Sequence, residues 1–504
     1  MMAAKNLSPG YPLSVLLRDL VEEPVVTDVY VNGLATHSSK TRLGDLFIAS
    51  AMGGHSRITY ISDAVKAGAC AIVAEADSLP DPYLCPVPIY RIKNLYTKTG
   101  IIADRFYRHP SSAMTVIGVT GTNGKTTVSH MLAQALTVPG KVACGLIGTL
   151  GYGTPDELVP GPNTTPEPVA LQGLLAGMRG RNIRQVVMEV SSHGLDQHRI
   201  AGVEFDMAIL TNLSRDHLDY HVSPENYASA KRRLFTDCKI NQAVINLDDS
   251  FGRSLFGALK AEVIGYTLNP RLGSELQLKH TAVCGTIIAS QDGKMQMEVD
   301  SPWGRTTLAS PFMGTFNAYN LLAVLSALCL LGHPLEIAAL RLSACRCIPG
   351  RMEYFGGAQQ PLIVIDYAHT PDALEQVLQT LKTMSRGKIH CVFGCGGDRD
   401  QGKRPLMGAV AERYADNIIL TSDNPRSESP DLIIRDILGG IKNCARVTVE
   451  PNRTAAIANA FHSADSNDIV LIAGKGHEDY QEISGRRLPF SDQRVVHKLL
   501  EERS

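Results

Sequence analysis

The sequence has no surplus of either charge: 49 Lys and Arg stand against 50 Asp and Glu, a formal net charge of −1 at pH 7. That balance argues against a general polyanion binder, and no nucleic-acid partner is expected. Paired cysteines are also missing. The 11 cysteines are scattered, odd in number and without CxxC units, which is the usage of a reducing compartment. Cys345 with Cys347, and Cys391 with Cys395, stand close together but lack metal-ligand spacing, and they read as core residues. Residues 1–20 have no long apolar region with basic flanks, so no signal peptide is expected. The longest apolar run, residues 321–331, is too short to span a bilayer and reads as a buried helix. These absences point to a cytoplasmic chain without a membrane partner. No internal repeat, low-complexity segment or long linker stands out.

What is present is a long, ordinary globular composition. At 504 residues, 44% hydrophobic and 20% charged, the chain is too long for one core, and two to four domains are expected. One stretch organises it: Gly118-Val119-Thr120-Gly121-Thr122-Asn123-Gly124-Lys125-Thr126-Thr127. A β-branched run precedes it and a stretch with helical apolar spacing follows. Strand, glycine turn and helix form the context of a phosphate-binding loop. There backbone N–H groups close on phosphate oxygens, the helix N-terminus adds partial positive charge, and Lys125 supplies a full one. Thr126 is placed to offer its hydroxyl to Mg²⁺. The match to the strict Walker pattern is incomplete, because Val119 occupies the place of its first glycine.

Residues 1–110 read as a small α/β unit, with strand runs at 44–49 and 69–74 and a helix between them at 60–67. Alternating strands and helices continue from 111 to 345. The strand at 184–190 ends in Glu189, and the strand at 206–212 leads to Asp216 and His217. Polar groups at strand C-termini are where α/β sheets place ligands, so Glu189 and His217 are Mg²⁺ candidates; His217 could equally cap or support. Lys231 lies in Ala230-Lys231-Arg232-Arg233 and reads, on spacing alone, as a solvated charge run. Asn317 and Asn320 open the apolar helix and could cap it or meet a purine edge. The Pro349-Gly350 break places a boundary near 345, with Arg351 at the hinge. Residues 346–504 read as a third, doubly wound α/β unit. Its strands end in loops that concentrate Arg399, Asn424, Arg426 and Glu478, groups suited to a zwitterionic ligand.

Several motifs, taken in order, resemble the Mur ligases of peptidoglycan synthesis. They are Gly121-Thr122-Asn123-Gly124-Lys125-Thr126-Thr127, Glu189-Val190-Ser191-Ser192-His193-Gly194, Asn212-Leu213-Ser214-Arg215-Asp216-His217, Pro349-Gly350-Arg351-Met352-Glu353, Asp366-Tyr367-Ala368-His369 and Gly474-Lys475-Gly476-His477-Glu478. The resemblance runs from about residue 30 to the C-terminus. It implies an α/β protein of three domains: an N-terminal UDP-binding domain, a central ATPase-type domain on a parallel sheet, and a C-terminal Rossmann-like domain that brings an amino acid. It further implies ATP and Mg²⁺ as cofactors, a UDP-N-acetylmuramoyl-L-alanyl-D-glutamate substrate, an acyl-phosphate intermediate, and a protein acting as a monomer.

Carried onto this chain, the resemblance assigns Gly121, Thr122, Asn123, Gly124, Lys125, Thr126 and Thr127 to the ATP phosphates. Asn317 or Asn320 would meet adenine, and Arg351, Asp366 and His369 would meet ATP from the C-terminal domain. Thr126, Glu189, His217 and Lys231 become Mg²⁺ ligands, Lys231 as a carbamate, which reverses its reading as a surface charge. Asn163, Thr164, Thr165, Ser191, Gln197 and Arg199 match the positions that hold the muramoyl-dipeptide. Asp423-Asn424-Pro425-Arg426 matches the signature for meso-diaminopimelate rather than lysine, with Arg399, Gly474 and Glu478 completing the pocket. Thr36, Ser38, Gly53, Gly54 and His55 are expected at the uridine end. There the usual Asp-Ser-Arg is replaced by His37-Ser38-Ser39, and Ser56-Arg57 replaces an Asp-Gly. The alternatives are a lysine-adding ligase, a ligase like folylpolyglutamate synthetase, and a protein that uses ATP only as a switch.

Overall fold

Hydrophobic strand runs bounded by glycine and polar residues build the molecule, and helices with one apolar stripe cover them. The computed structural model describes residues 10–503 apart from 23, 27, 51–56, 81–82, 276–280 and 292–293. Gly53, Gly54 and His55 therefore lie outside the described residues. Among the described residues the larger sheets have four, eleven and six strands, N-terminal, central and C-terminal in the chain. The protein is α/β throughout. The chain forms two compact units, one of residues 1–120, 136–208 and 230–242, the other of 121–135, 209–229 and 243–504.

In the first unit the N-terminal sheet is parallel, in the order Gly33–Ala35, Asp45–Ala49, Ala71–Glu75, Ile89–Ile92. Leu46, Ile48, Ala71 and Val73 pack on one face with Leu95 and Ile102 of helix Leu95–Phe106. Phe47, Ile72 and Ala74 pack on the other with Ile61 and Ala64 of helix Arg57–Lys66. Both faces are covered, so the strands are apolar runs without alternation. The same unit carries three parallel strands of the central sheet, with Gln185–Glu189 between Thr115–Thr120 and Cys144–Gly148. A hairpin, Gly151–Thr154 with Glu157–Val159, adds antiparallel strands to the edge.

In the second unit, Ala282–Gln291, Lys294–Ser301 and Gly304–Ser310 form an antiparallel meander. The central sheet is thus mixed rather than purely parallel. The apolar run forms the buried helix Thr315–Leu330. Beyond it the six-stranded sheet runs Glu353–Gly356, Leu362–Asp366, Ile469–Ala473, Ile389–Phe393, Asn417–Leu420, Val447–Val449, parallel except for the first strand. Leu374, Leu378, Met407 and Ile437 pack one face, and Ile457, Phe461, Val496 and Leu499 the other. This is a doubly wound layer, and its strand C-termini lead into the loops that carry the candidate residues. Among the described residues no helix is long and apolar enough to cross a membrane. Cys345, Cys391 and Cys395 are core residues, but Cys347 is exposed, because its segment leaves the helix toward the Pro349-Gly350 turn.

Candidate active site

The glycine turn that follows strand Thr115–Thr120 opens helix Lys125–Leu136. Gly121 has φ +149° and Gly124 φ +85°, and neither could carry a side chain. A Cβ on Gly121 would overlap Thr211 Oγ1, and one on Gly124 would sit 2.6 Å from Asn320 Oδ1. The turn is pinned from below: Thr122 N–H donates to Asn212 O (2.8 Å), Asn123 N–H to Asn212 Oδ1 (3.0 Å), and Thr211 Oγ1 to Asn123 O (2.6 Å). Lys125 Nζ curls over it, donating to Gly121 O and Thr122 O, both at 2.9 Å.

Asn317 and Asn320 are buried beside this turn. Asn320 Nδ2 donates to Asn317 Oδ1 (3.0 Å) and Asn317 Nδ2 to Met313 O (2.9 Å). Neither caps the helix, whose N-cap is Gly314. Arg351 reaches the loop, with NH2 3.1 Å from Thr126 Oγ1 and its guanidinium 4.3 Å from the centre of the Tyr367 ring. Asp366 is buried and accepts from Met352 N–H (2.8 Å); burial raises its pKa, against the pull of Arg351. One helical turn into the loop helix, His130 is buried with no partner for Nε2 among the described residues. Burial, and then the Arg351 charge, push its pKa down to about 3.

Asp216 is the residue that sequence reasoning passed over. Its buried carboxylate accepts from the His217 N–H (2.9 Å) and lies 3.3 Å from His217 Nε2, 3.7 Å from His369 Nε2 and 4.0 Å from Lys403 Nζ. Burial alone would raise its pKa, but these three groups outweigh it and hold the carboxyl well below the usual carboxylate range. His369 Nδ1 sits 2.9 Å from Tyr367 O and donates to it, which turns Nε2 toward Asp216. Arg215 pairs with Asp400 (3.1 Å), and Asn123 Nδ2 donates to Asp372 Oδ2 (2.9 Å). The Asp216 signal was present in Arg-Asp-His, but its partners come from residues 369 and 403.

The pocket at the C-terminal strand ends is assembled from three loops of the second unit. Asn424 Nδ2 donates to Glu478 Oε2 (2.7 Å), and Lys475 Nζ donates to the same oxygen (2.8 Å). Arg426 adopts φ +53°, held by Arg426 N–H on Glu482 O (2.9 Å) and Ser484 N–H on Arg426 O (2.7 Å). Its NH1 donates to Gly397 O (2.8 Å). Gly396 lets the two arginines approach, since a Cβ there would lie 2.8 Å from Arg426 NH1 and 3.7 Å from Arg399 Cγ. Arg399 itself is exposed, with NH1 on Asp398 O (2.9 Å). Pro425 O abuts Gly397, and Asp423 Oδ2 abuts Gly474, whose φ of +112° carries the turn.

In the first unit, Thr165 Oγ1 donates to Glu189 O (2.9 Å) and accepts from Ser191 N–H (3.0 Å), while Ser191 Oγ caps helix Ser192–Asp196. Arg199 donates to Thr165 O (2.9 Å) and Gln197 Oε1 (2.9 Å) and pairs with Glu167 (3.0 Å). Tyr152 OH donates to Asn163 O. Glu189 is buried and accepts from Thr149 N–H (2.9 Å) and Thr149 Oγ1 (3.0 Å), and that hydroxyl lies 3.1 Å from Thr164 Oγ1. The six expected residues, Asn163 to Arg199, thus converge. Thr149, Tyr152 and Glu167 join them unpredicted, although Thr149 follows strand Cys144–Gly148 at an end where ligand groups collect. Lys231 is 1% exposed on helix Pro224–Thr236. The helical stripe faces inward at that position, which overturns the solvated charge run. Thr36 Oγ1 contacts His37 Nδ1 (3.2 Å), and Ser38 opens the short turn Ser38–Lys40.

Comparison with known proteins identifies the family. Residues 119–328 match the Mur ligase middle domain, and residues 350–476 the Mur ligase glutamate ligase domain. The UDP-N-acetylmuramoyl-L-alanyl-D-glutamate–2,6-diaminopimelate ligase of Coxiella burnetii is 46% identical over 493 residues, 97% of this chain and 100% of that protein. The chain belongs to the Mur ligase family. A solved structure bearing the same ligase name covers 98% of this Mur ligase and 99% of its own chain, at 33% identity and TM-score 0.67. Folylpolyglutamate synthase of Mycobacterium tuberculosis shares the fold alone, at 19% identity and TM-score 0.59 over 75% of this Mur ligase and 92% of that chain.

Proposed function

We propose that this Mur ligase joins an amino group of meso-2,6-diaminopimelate to the D-glutamate side-chain carboxylate of UDP-N-acetylmuramoyl-L-alanyl-D-glutamate, with cleavage of ATP to ADP and phosphate. The site of action is the cytoplasm, in the making of peptidoglycan precursors, and the protein acts as a monomer. The observation that carries this reading is the full-length likeness, 46% over 97% of the chain, to a ligase named for that substrate and acceptor.

A carboxylate is a poor electrophile. The D-glutamate carboxylate oxygen attacks the γ-phosphorus of ATP, ADP leaves, and an acyl phosphate results. The acceptor amine then attacks the acyl carbon, loses a proton, and phosphate departs as the amide forms. Two anions must be held together while this happens, which calls for fixed donors and cations. We assign Gly121, Thr122, Asn123, Gly124, Thr126 and Thr127 to the phosphates, with Lys125 on the β and γ groups. The left-handed glycines and the Lys125 ammonium held over the turn support this. Arg351, Asp366 and His369 would act on ATP as well, and Arg351 beside Thr126 suits developing phosphate charge. Asn317 or Asn320 would meet the adenine.

Bound Mg²⁺ would neutralise phosphate charge, and Mg²⁺ takes few protein ligands beside nucleotide oxygens. Thr126 and Glu189 carry oxygen donors of the kind Mg²⁺ takes, and the His217 imidazole is the further ligand that the resemblance assigns. Lys231 fits as a carbamate, since that modification turns a buried cation into an anion. Asn163, Thr164, Thr165, Ser191, Gln197 and Arg199 would hold the muramoyl-dipeptide, and Thr36, Ser38, Gly53, Gly54 and His55 the uridine end. Arg426 and Arg399, with Asp423, Asn424, Pro425, Gly474 and Glu478, would hold diaminopimelate. That acceptor is in effect lysine with a second amino-acid carboxylate, so a fixed guanidinium selects for it.

The deciding experiment measures phosphate release from ATP with the UDP-linked substrate, comparing meso-diaminopimelate with L-lysine. Turnover with the first and little with the second is expected. Preference for lysine would overturn the acceptor assignment while keeping the ligase; silence with both would overturn the reading.

A further inference from the structure

Between the pocket residues lies a buried cation to which the reading above gives no part. Lys475 is 0% exposed. Its Nζ donates to Glu478 Oε2 at 2.8 Å and to Asn424 Oδ1 at 3.1 Å, and the Tyr480 ring centre is 5.5 Å away. Asn424 Nδ2 closes the triangle on the same Glu478 oxygen at 2.7 Å. Asn424 Oδ1 also accepts from the Glu482 N–H at 2.9 Å. Two donors on Oδ1 leave the amide only one orientation, with its NH₂ toward Glu478. Glu478 Oε2 is thereby occupied twice, while the Glu478 side chain stays 16% exposed and has a second oxygen.

A buried ammonium is costly unless paired and hydrogen-bonded, and both of its oxygen partners are pocket residues. The backbone makes the placement possible. Gly474, at φ +112°, turns the chain just after strand Ile469–Ala473 and presses against Asp423, so Lys475 points back under Asn424.

We propose that Lys475 is a positioning and specificity-determining residue of the acceptor pocket: its ammonium locks Asn424 and Glu478 in one arrangement, so that Glu478 offers a single oriented oxygen to an ammonium group of a zwitterionic amino acid. This rests on the reading of the pocket as the acceptor site. Without Lys475, Asn424 Oδ1 keeps only the Glu482 N–H, and Glu478 loses its counter-charge and can turn.

The test uses the full-length enzyme and the phosphate-release assay with meso-diaminopimelate. Lys475→Met is expected to raise the KM for diaminopimelate by about tenfold or more, the scale of a lost charged hydrogen bond, and to leave the KM for ATP and for the UDP-linked substrate within about twofold. In the Glu478→Gln background the same substitution should add little, because the two side chains act as one unit. Equal changes in all three KM values, or a lowered Tm with all three KM values unaltered, would overturn the assignment and leave Lys475 a purely structural group. If Lys475→Met does not accumulate as folded protein, Lys475→Arg, which keeps the charge but changes its shape, is read by the same split. Absence of diaminopimelate-dependent turnover in the wild-type enzyme would overturn the proposed function, and this assignment with it, before any variant is made.

Discussion

Lys125 finds its partners at Gly121 and Thr122, four and three residues upstream, whereas Asn424 finds Lys475, Glu478 and Glu482 more than fifty residues downstream. The phosphate loop is local in its lysine contacts and its glycine turns, though Thr211 and Asn212 also hold it from a neighbouring strand end. Its shape follows from two left-handed glycines, a helix start and a lysine one turn from its own carbonyls. The proposed acceptor pocket is assembled from loops that meet only because strands Ile389–Phe393, Asn417–Leu420 and Ile469–Ala473 belong to one sheet. A local device serves every reaction that uses the nucleotide, while an assembled one can be altered loop by loop to change the acceptor. Damage to the first should therefore strike all substrates alike, and damage to the second only one.

The largest expected effect is at the loop. Lys125→Met should cut kcat by about a thousandfold, the upper range for a lost electrostatic donor, equally with any acceptor and with little change in Tm; an acceptor-dependent loss would break the comparison. Next comes Lys231→Ala, for which about a hundredfold loss is expected, the upper range for losing even a supporting partner of a metal ligand, with partial recovery on adding a small carboxylate such as acetate. Wild-type rates in that variant would remove the carbamate. Arg426→Ala should raise the KM for diaminopimelate by about tenfold to thirtyfold, with the KM for ATP steady, and equal shifts in both would take Arg426 out of the pocket.

The smallest effect sharpens the local side. The folded pKa of His130, about 3, lies below its unfolded value of about 6.5. Between those values the unfolded chain binds more protons, so stability falls as the pH is lowered from neutral, by at most about 1.4 kcal/mol per pH unit for this group. His130→Leu should accordingly lose less Tm between about pH 7 and pH 5 than the wild type. An identical loss would show that His130 is not held neutral.

Legibility in the sequence follows the same division. Strand ends at Glu189, Asp366 and Ala473 were readable because apolar runs stop where polar loops start. The residues at those ends were readable as candidate ligand groups because open α/β sheets bind there. Spacing alone makes Lys231 part of a charge run with Arg232 and Arg233; the resemblance reverses that reading, and packing shows that Lys231 alone of the three is buried. Asp216 was passed over for the opposite reason, since one acidic residue in a polar loop carries no weight until His369 and Lys403 are brought to it. Thr149 and Glu167 are similar, with partners at Glu189 and Arg199 that no spacing rule connects.

By itself the sequence determined the α/β class, the phosphate loop and the order of the motifs that mark a Mur ligase, because these depend on periodicity, glycine backbone freedom and contacts within a turn of helix. Tertiary structure alone decided which charges are buried and what they face: Lys231 inward, Asp216 among two imidazoles and an ammonium, Lys475 under Asn424 and Glu478. The physical reason is that the free energy of a charge is set by its surroundings in space, by desolvation and by counter-charges a few ångströms away. Those surroundings come from strands that are neighbours in a sheet and strangers in the chain.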